Sequence, residues 1–205
     1  MKTHYITSEK LSFQNIFDII SQGHSISLSD ESRQRIQACR DYLDKRMDEQ
    51  QDPIYGINTG FGSLCNHRIS NSELSTLQEN LVKSHACGTG EEVPEHIVKL
   101  MLLLKARSLS YGHSGVETAT VQRLIDFYNE DVVPIVYQLG SLGASGDLAP
   151  LAHMSLPLIG EGEVVFKGER MHASKALEHF GWKPLKLQSK EGLALLNGTQ
   201  FMSAH

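Results

Sequence analysis

Two glycine-rich stretches hold the residues best able to do chemistry. One runs Gly140-Ser141-Leu142-Gly143-Ala144-Ser145-Gly146-Asp147, the other Tyr55-Gly56-Ile57-Asn58-Thr59-Gly60-Phe61-Gly62. Loops this rich in glycine need positive φ values or close backbone approach, and sites concentrate on them. In the first, the glycine spacing matches neither GxxxxGK[ST] nor GxGxxG, the phosphate-binding patterns. Asp147 would also compete with a phosphate for the same backbone N–H groups. A nucleophile elbow, GxSxG, needs glycine two residues after Ser145, where Asp147 stands. On composition alone the stretch is a glycine-rich turn, N-capped by Asp147 ahead of a helix over 148–159.

Three more side chains are candidates. The phenol of Tyr55 could act as a base, but with an ordinary pKa of about 10 it needs neighbouring donors or positive charge to do so. The bland alternative is an aromatic ring packed beside a turn. Asn197, before Gly198, is either a turn residue or a ligand-holding amide. His85, near the end of a helix predicted over 72–87, is a capping or surface residue unless a site brings it a substrate. No HExxH and no Cys/His cluster occurs, so no metal site is indicated, and nothing points to a nucleotide cofactor.

The elements that must position these residues are mostly helical. A stretch over 29–51 places Ile36, Leu43 and Met47 on one face, with charges elsewhere. Ser70-Asn71-Ser72-Glu73 has the form of a capping box opening a helix with Leu74, Leu77, Leu81 and Val82 inward, and Gly88 and Gly90 would stop it. Pro94 suits the first turn of the next helix, which runs toward Tyr111 and is apolar on most sides. A further amphipathic helix spans 116–129. Strand signals are sparse, the best being Glu163-Val164-Val165-Phe166 before a Lys167-Gly168 turn. Strands do not alternate with helices, which argues against a doubly wound α/β fold. The fold class expected is mainly α.

Bulk properties bound the function. The 205 residues suffice for a real core, in one domain or two small ones. A net charge of −5 with no basic run leaves no electrostatic case for nucleic acid or an anionic membrane. Cys39, Cys65 and Cys87 are dispersed, as reduced thiols of a cytoplasmic protein would be. No signal peptide and no membrane-spanning run is visible.

Taken together, three motifs carry a family resemblance. Gly140-Ser141-Leu142-Gly143-Ala144-Ser145-Gly146-Asp147-Leu148-Ala149-Pro150-Leu151-Ala152-His153 resembles the defining motif of the aromatic amino acid ammonia-lyases. The Tyr55–Gly62 stretch resembles their tyrosine loop, and Leu195-Leu196-Asn197-Gly198-Thr199-Gln200 a third motif, in the family's order. The resemblance implies that 1–205 is the N-terminal portion of such an enzyme. It would be a helical domain with glycine-rich active-site loops, leading into a long central helical bundle.

It also implies that Ala144-Ser145-Gly146 cyclises to a methylidene-imidazolone (MIO). Gly146 offers an unhindered amide nitrogen to the Ala144 carbonyl, and Ser145 loses its hydroxyl as water to leave an exocyclic alkene. In the resemblance the substrate amine adds to this electrophile, Tyr55 takes a β-proton, and Asn197 helps hold substrate and cofactor. The Ser84-His85 pair, with Gln200 and Ala149–Met154, is similar to the histidine branch, whose product is trans-urocanate. Tyrosine or phenylalanine lyases, aminomutases and an inactive scaffold fragment remain as alternatives. Family members are homotetramers more than twice this length, with sites shared between subunits. The segment Leu100–Leu104 would then lack its covering partners here, an aggregation risk.

Overall fold

The computed structural model describes residues 2–49, 52–59, 69–70, 73–141 and 147–205. Strand β1 (Thr3–Ile6) leads into helix α1 (Phe13–Ser21), and β2 (Ser25–Leu28) returns parallel to β1, with Thr3 opposite Ser25 and Ile6 opposite Leu28. Parallel strands need a crossover, and α1 supplies it. This small βαβ unit was not evident in the residue pattern. Strand β2 turns Ile26 and Leu28 into the core. The Asn129 side chain completes its outer edge, accepting from Ile26 N at 2.8 Å and donating to Ile26 O at 2.9 Å.

Helix α2 (Asp30–Glu49) buries Ile36, Leu43 and Met47 as the spacing predicts. Arg40 lies on the same face, 1% exposed, contrary to the expectation that charges lie elsewhere. Its guanidinium pairs with Asp44 and donates to the carbonyls of Gly115 and Ser189, at 2.8 and 2.9 Å. A buried charge is tolerable when paired and hydrogen-bonded in this way.

Helix α3 (Leu74–His85) buries Leu74, Gln78, Leu81 and Val82. It does not open on the expected capping box. The hydroxyl of Ser70 donates to the Glu73 carboxylate at 2.7 Å, leaving that carboxylate a different partner from the backbone N–H a box requires. Nor do glycines stop it: it ends at His85, before Gly88.

Beyond it come β3 (Thr89–Glu92), α4 (Glu95–Leu109), α5 (Thr118–Asn129), β4 (Val133–Pro134) and β5 (Tyr137–Leu139). Next are α6 (Leu148–Ser155), which tightens to a 3₁₀ turn over Leu156–Ile159, then β6 (Glu163–Phe166) and β7 (Glu169–His172). Helices α7 (Ala173–His179), α8 (Glu191–Leu196) and α9 (Gln200–Ala204) follow. Strands β6 and β7 form the predicted hairpin, and β4 extends it to three antiparallel strands; β3 pairs antiparallel with β5.

The fold is mainly α, with these short strands at its margins. Helix α4 runs through the core against α5 and α9, and its Met101, Leu102 and Leu103 are completely covered. The expected exposure of the 100–104 segment is therefore overturned: the chain's own helices bury it, with Leu100 and Leu104 half-buried. Helices α3, α6 and α8 pack on one another beside it.

Candidate active site

The tyrosine loop is built by its own polar side chains. The Asn58 carboxamide accepts from Ile54 N at 2.6 Å and donates to Asp52 O at 3.1 Å. The Thr59 hydroxyl accepts from Gly56 N at 3.1 Å. Both residues are fully buried, and Gly56 takes a φ of 68°, a left-handed value glycine adopts without a Cβ penalty. The brace turns Tyr55 outward, 54% exposed. Gly60, Phe61 and Gly62 lie outside the described residues.

His85 is the last residue of α3. Its Nδ1 lies 2.8 Å from Leu81 O, which can only accept, so Nδ1 carries the proton and the ring is anchored to its own helix. Three residues on, Gly88 N donates to His153 Nε2 at 2.9 Å. His153 belongs to α6, and burial lowers its pKa, keeping it the neutral acceptor this bond needs. The chain comes very close to itself here. A Cβ on Gly140 would stand 2.9 Å from Gly88 Cα, so the first glycine of the 140–147 stretch does serve close backbone approach.

Ala144, Ser145 and Gly146 lie outside the described residues. Their neighbours on both sides are placed. Asp147, 3% exposed, sits at the N-cap of α6 but makes no side-chain cap, which corrects the bland expectation for it. Its carboxylate instead accepts from Ser141 Oγ at 3.1 Å and from Met202 N at 2.9 Å. One bond joins Asp147 to Ser141, and the other joins it to α9. The backbone N of Asp147 also points to Gly198 O, at 3.5 Å.

Asn197 closes α8, exposed at the surface of the described residues, and its backbone carbonyl accepts from Lys105 Nζ at 3.0 Å. Lys105 comes from the centre of α4 and is 1% exposed. Burial pushes its pKa down to about 7, against the opposing pull of Asp147. Next to Asn197, Gly198 has a φ of 155° and a Cβ there would meet Gln200 Oε1 at 2.2 Å. Gln200 Oε1 is buried and has no hydrogen-bond partner among the described residues. A buried acceptor without a donor is costly.

Residue types and spacing thus pointed to Tyr55, His85 and Asn197 but not to the polar groups beside them in the chain fold: Asn58 and Thr59 around Tyr55, Lys105 on the Asn197 carbonyl, and the half-buried His153 on Gly88 N. One signal was available. Lys105 interrupts the run Met101-Leu102-Leu103-Leu104, a cation on a face that must be buried. No group of three or more His, Cys, Asp or Glu side chains among the described residues could hold a metal ion. No described helix is long and apolar enough to cross a membrane.

The fold is a mainly helical scaffold that brings Asp147 to Met202, and comparison with known proteins places it. Residues 11–205 match the model of the aromatic amino acid lyase family, and the chain belongs to that family. It is 48% identical over 196 residues to a histidine ammonia-lyase of Natranaerobius thermophilus, covering 96% of this chain and 38% of that protein. Among solved structures it is similar to histidine ammonia-lyase from Trypanosoma cruzi (TM-score 0.87, 36% identity, 100% of this chain and 39% of that one). It is also similar to tyrosine aminomutase from Streptomyces globisporus (TM-score 0.88, 33% identity, 98% of this chain and 37% of that one). The chain spans about two-fifths of the length of the curated relatives it matches.

Proposed function

We propose that this chain carries part of the active site of an ammonia-lyase that converts L-histidine to trans-urocanate and ammonia. The observation that carries the reading is Asp147. The residue that follows Ala144-Ser145-Gly146 in the chain is bound to Met202 N, one helix away from Asn197, and to Ser141 on the other flank. The residues flanking the tripeptide in the chain, Ser141 and Asp147, are thus joined to each other and to the helix that follows the Asn197–Gly198 turn. The similarity to histidine ammonia-lyases supports histidine as the substrate.

The residues present fit an MIO group. The Ala-Ser-Gly order has the required nucleophilic amide, small first residue and leaving hydroxyl. Gln200 Oε1, buried beside Gly198 and without a hydrogen-bond partner among the described residues, offers an acceptor for a donor supplied by cofactor or substrate. When formed, the group supplies an electrophile that turns the substrate's amino group into a leaving group. The side-chain oxygen of Tyr55 takes the β-proton; the C–H electron pair becomes the new C=C bond as the C–N bond breaks, and ammonia departs. Asn197 orients the amino acid, and His85, its ring fixed through Nδ1, faces the imidazole of the substrate. We take the whole enzyme to be a cytoplasmic homotetramer.

Intact mass tests the first half: the purified protein should be lighter than its sequence by two waters. Ser145→Ala should restore the unmodified mass and abolish turnover while leaving the circular dichroism unchanged. A wild-type protein at its unmodified mass sinks the MIO assignment. Turnover of L-histidine, followed by urocanate absorbance, tests the second half. The similarity to tyrosine aminomutase supports one rival, in which tyrosine is preferred and a β-amino acid is formed. Preference for tyrosine in that assay would replace the histidine reading.

A further inference from the structure

Gln78 lies midway along α3 and is completely buried among Leu74, Leu81 and Val82. An amide in such surroundings is costly unless both of its ends are satisfied. Here both ends are used on backbone. Nε2 donates to Ile57 O at 3.2 Å, two residues after Tyr55. Oε1 accepts from Gly192 N at 2.8 Å, in the first turn of α8, where helix N–H groups have no intrahelical acceptor. The approach of α8 is close: a Cβ on Gly192 would stand 2.9 Å from both Gln78 O and Gln78 Oε1. One side chain thus joins the segment bearing Tyr55 to the helix that ends at Asn197, from a helix that itself ends at His85.

We propose that Gln78 is a positioning residue, which holds the Tyr55 loop and α8 in a fixed relation. It rests on the reading above for what the relation serves, proton removal from an amino acid held by Asn197. The clamp itself is a statement about two backbone segments. An apolar residue of the same size would fill the space yet leave Ile57 O and Gly192 N without these partners.

Three variants separate the possibilities. Gln78→Met removes both bonds at similar volume. Gly192→Ala drives a methyl into the same amide from the opposite side. Gln78→Glu keeps an acceptor for Gly192 N but loses the donor to Ile57 O. Amide hydrogen exchange on the purified protein should quicken at 54–59 and at 191–197 in the first two variants, with α4 unchanged. In Gln78→Glu the quickening should fall mainly on 54–59.

In turnover of L-histidine, kcat should fall by about tenfold or more with KM little changed, since misplacing a catalytic group by an ångström costs up to about a hundredfold. The isotope effect on β-deuterated histidine should rise, because proton removal becomes slower relative to the other steps. A residue that only stabilised the fold would lower the yield of active protein and leave that isotope effect alone.

Unchanged exchange at either segment in Gln78→Met overturns the clamp, as does a wild-type isotope effect in an active Gln78→Met enzyme. If wild type leaves histidine untouched, the substrate reading falls, and the exchange pattern alone decides the clamp. If Gln78→Met does not fold, Gly192→Ala and Gln78→Glu decide it by the same criteria.

Discussion

Lys105 shows how much one buried side chain can ask of its surroundings. Its ammonium is held in the middle of α4 by the Asn197 carbonyl and the field of Asp147, and burial lowers its pKa from 10.5 to about 7. A lysine depressed on folding binds its proton more tightly in the unfolded chain. Between about pH 7 and 10.5 the unfolded state therefore carries the extra proton, and stability rises with pH across that window. Below it both states are protonated, and the folded one bears the desolvation cost. Lys105→Met removes the effect, although it also strips the Asn197 carbonyl of a donor. The slope with pH, not the absolute stability, is thus the informative quantity. Denaturant titrations from pH 7 to 10 should show wild type gaining on Lys105→Met by up to about 1.4 kcal/mol per pH unit. A constant difference across the window would show that Lys105 is not depressed. Glu191 works in the opposite sense. Burial raises its pKa, while Thr120, Glu117 N and Gln188 N hold its charged form, so its contribution is greatest in acid and declines as pH rises through the folded pKa.

At the scale of elements, long amphipathic helices and the β6 strand with its turn were legible, and the other short strands were not. Ile36, Leu43 and Met47 announce α2 through their spacing alone, because helical periodicity is local. Arg40 was misassigned on that helix because its partners at Gly115 and Ser189 lie far along the chain. Strands β1 and β2 have four residues each, and their pairing depends on α1 and on the Asn129 amide, which no window of sequence contains. Asp147 is the sharpest case at the site. The residue type is right for an N-cap, and long-range bonds to Ser141 and Met202 took its carboxylate elsewhere. Glycines, in contrast, marked real close approaches. Gly112, after α4, has a φ of 72°, and a Cβ there would stand 2.6 Å from the backbone of Arg35 in α2. Gly168, in the β6–β7 turn, has a φ of 77° with open space around it. Gly168→Ala should therefore cost only about 1 kcal/mol of backbone strain. Gly112→Ala adds overpacking and should cost about 2–4 kcal/mol in all. Equal losses in urea denaturation would show that α2 can withdraw from α4 freely.

Among the described residues the molecule has two apolar cores of unequal size, and the candidate residues divide between them. The larger draws on elements from β1 through α9; the smaller comprises Leu43, Met47 and Leu74, with Ile54, Ile57, Ile69 and Leu77 packed around them. Tyr55 lies in the segment that covers the smaller core, whereas Asp147, Lys105 and Asn197 belong to the larger. Leu77 touches both, and Gln78, its neighbour, makes one polar link between them. A small apolar cluster contributes little free energy, so the region it supports should open at lower cost than the rest. Met47→Ala leaves a cavity in that cluster, and a loss of about 2–3 kcal/mol there falls mainly on the local opening reaction. Amide exchange should accordingly quicken across 52–59 and the first turn of α3, while the amides of α4 around Leu102 keep their protection. Equal loss of protection in α4 would mean that the two cores unfold as a single unit. Selective loss would mean that the loop bearing Tyr55 can move on its own while the larger core stays closed.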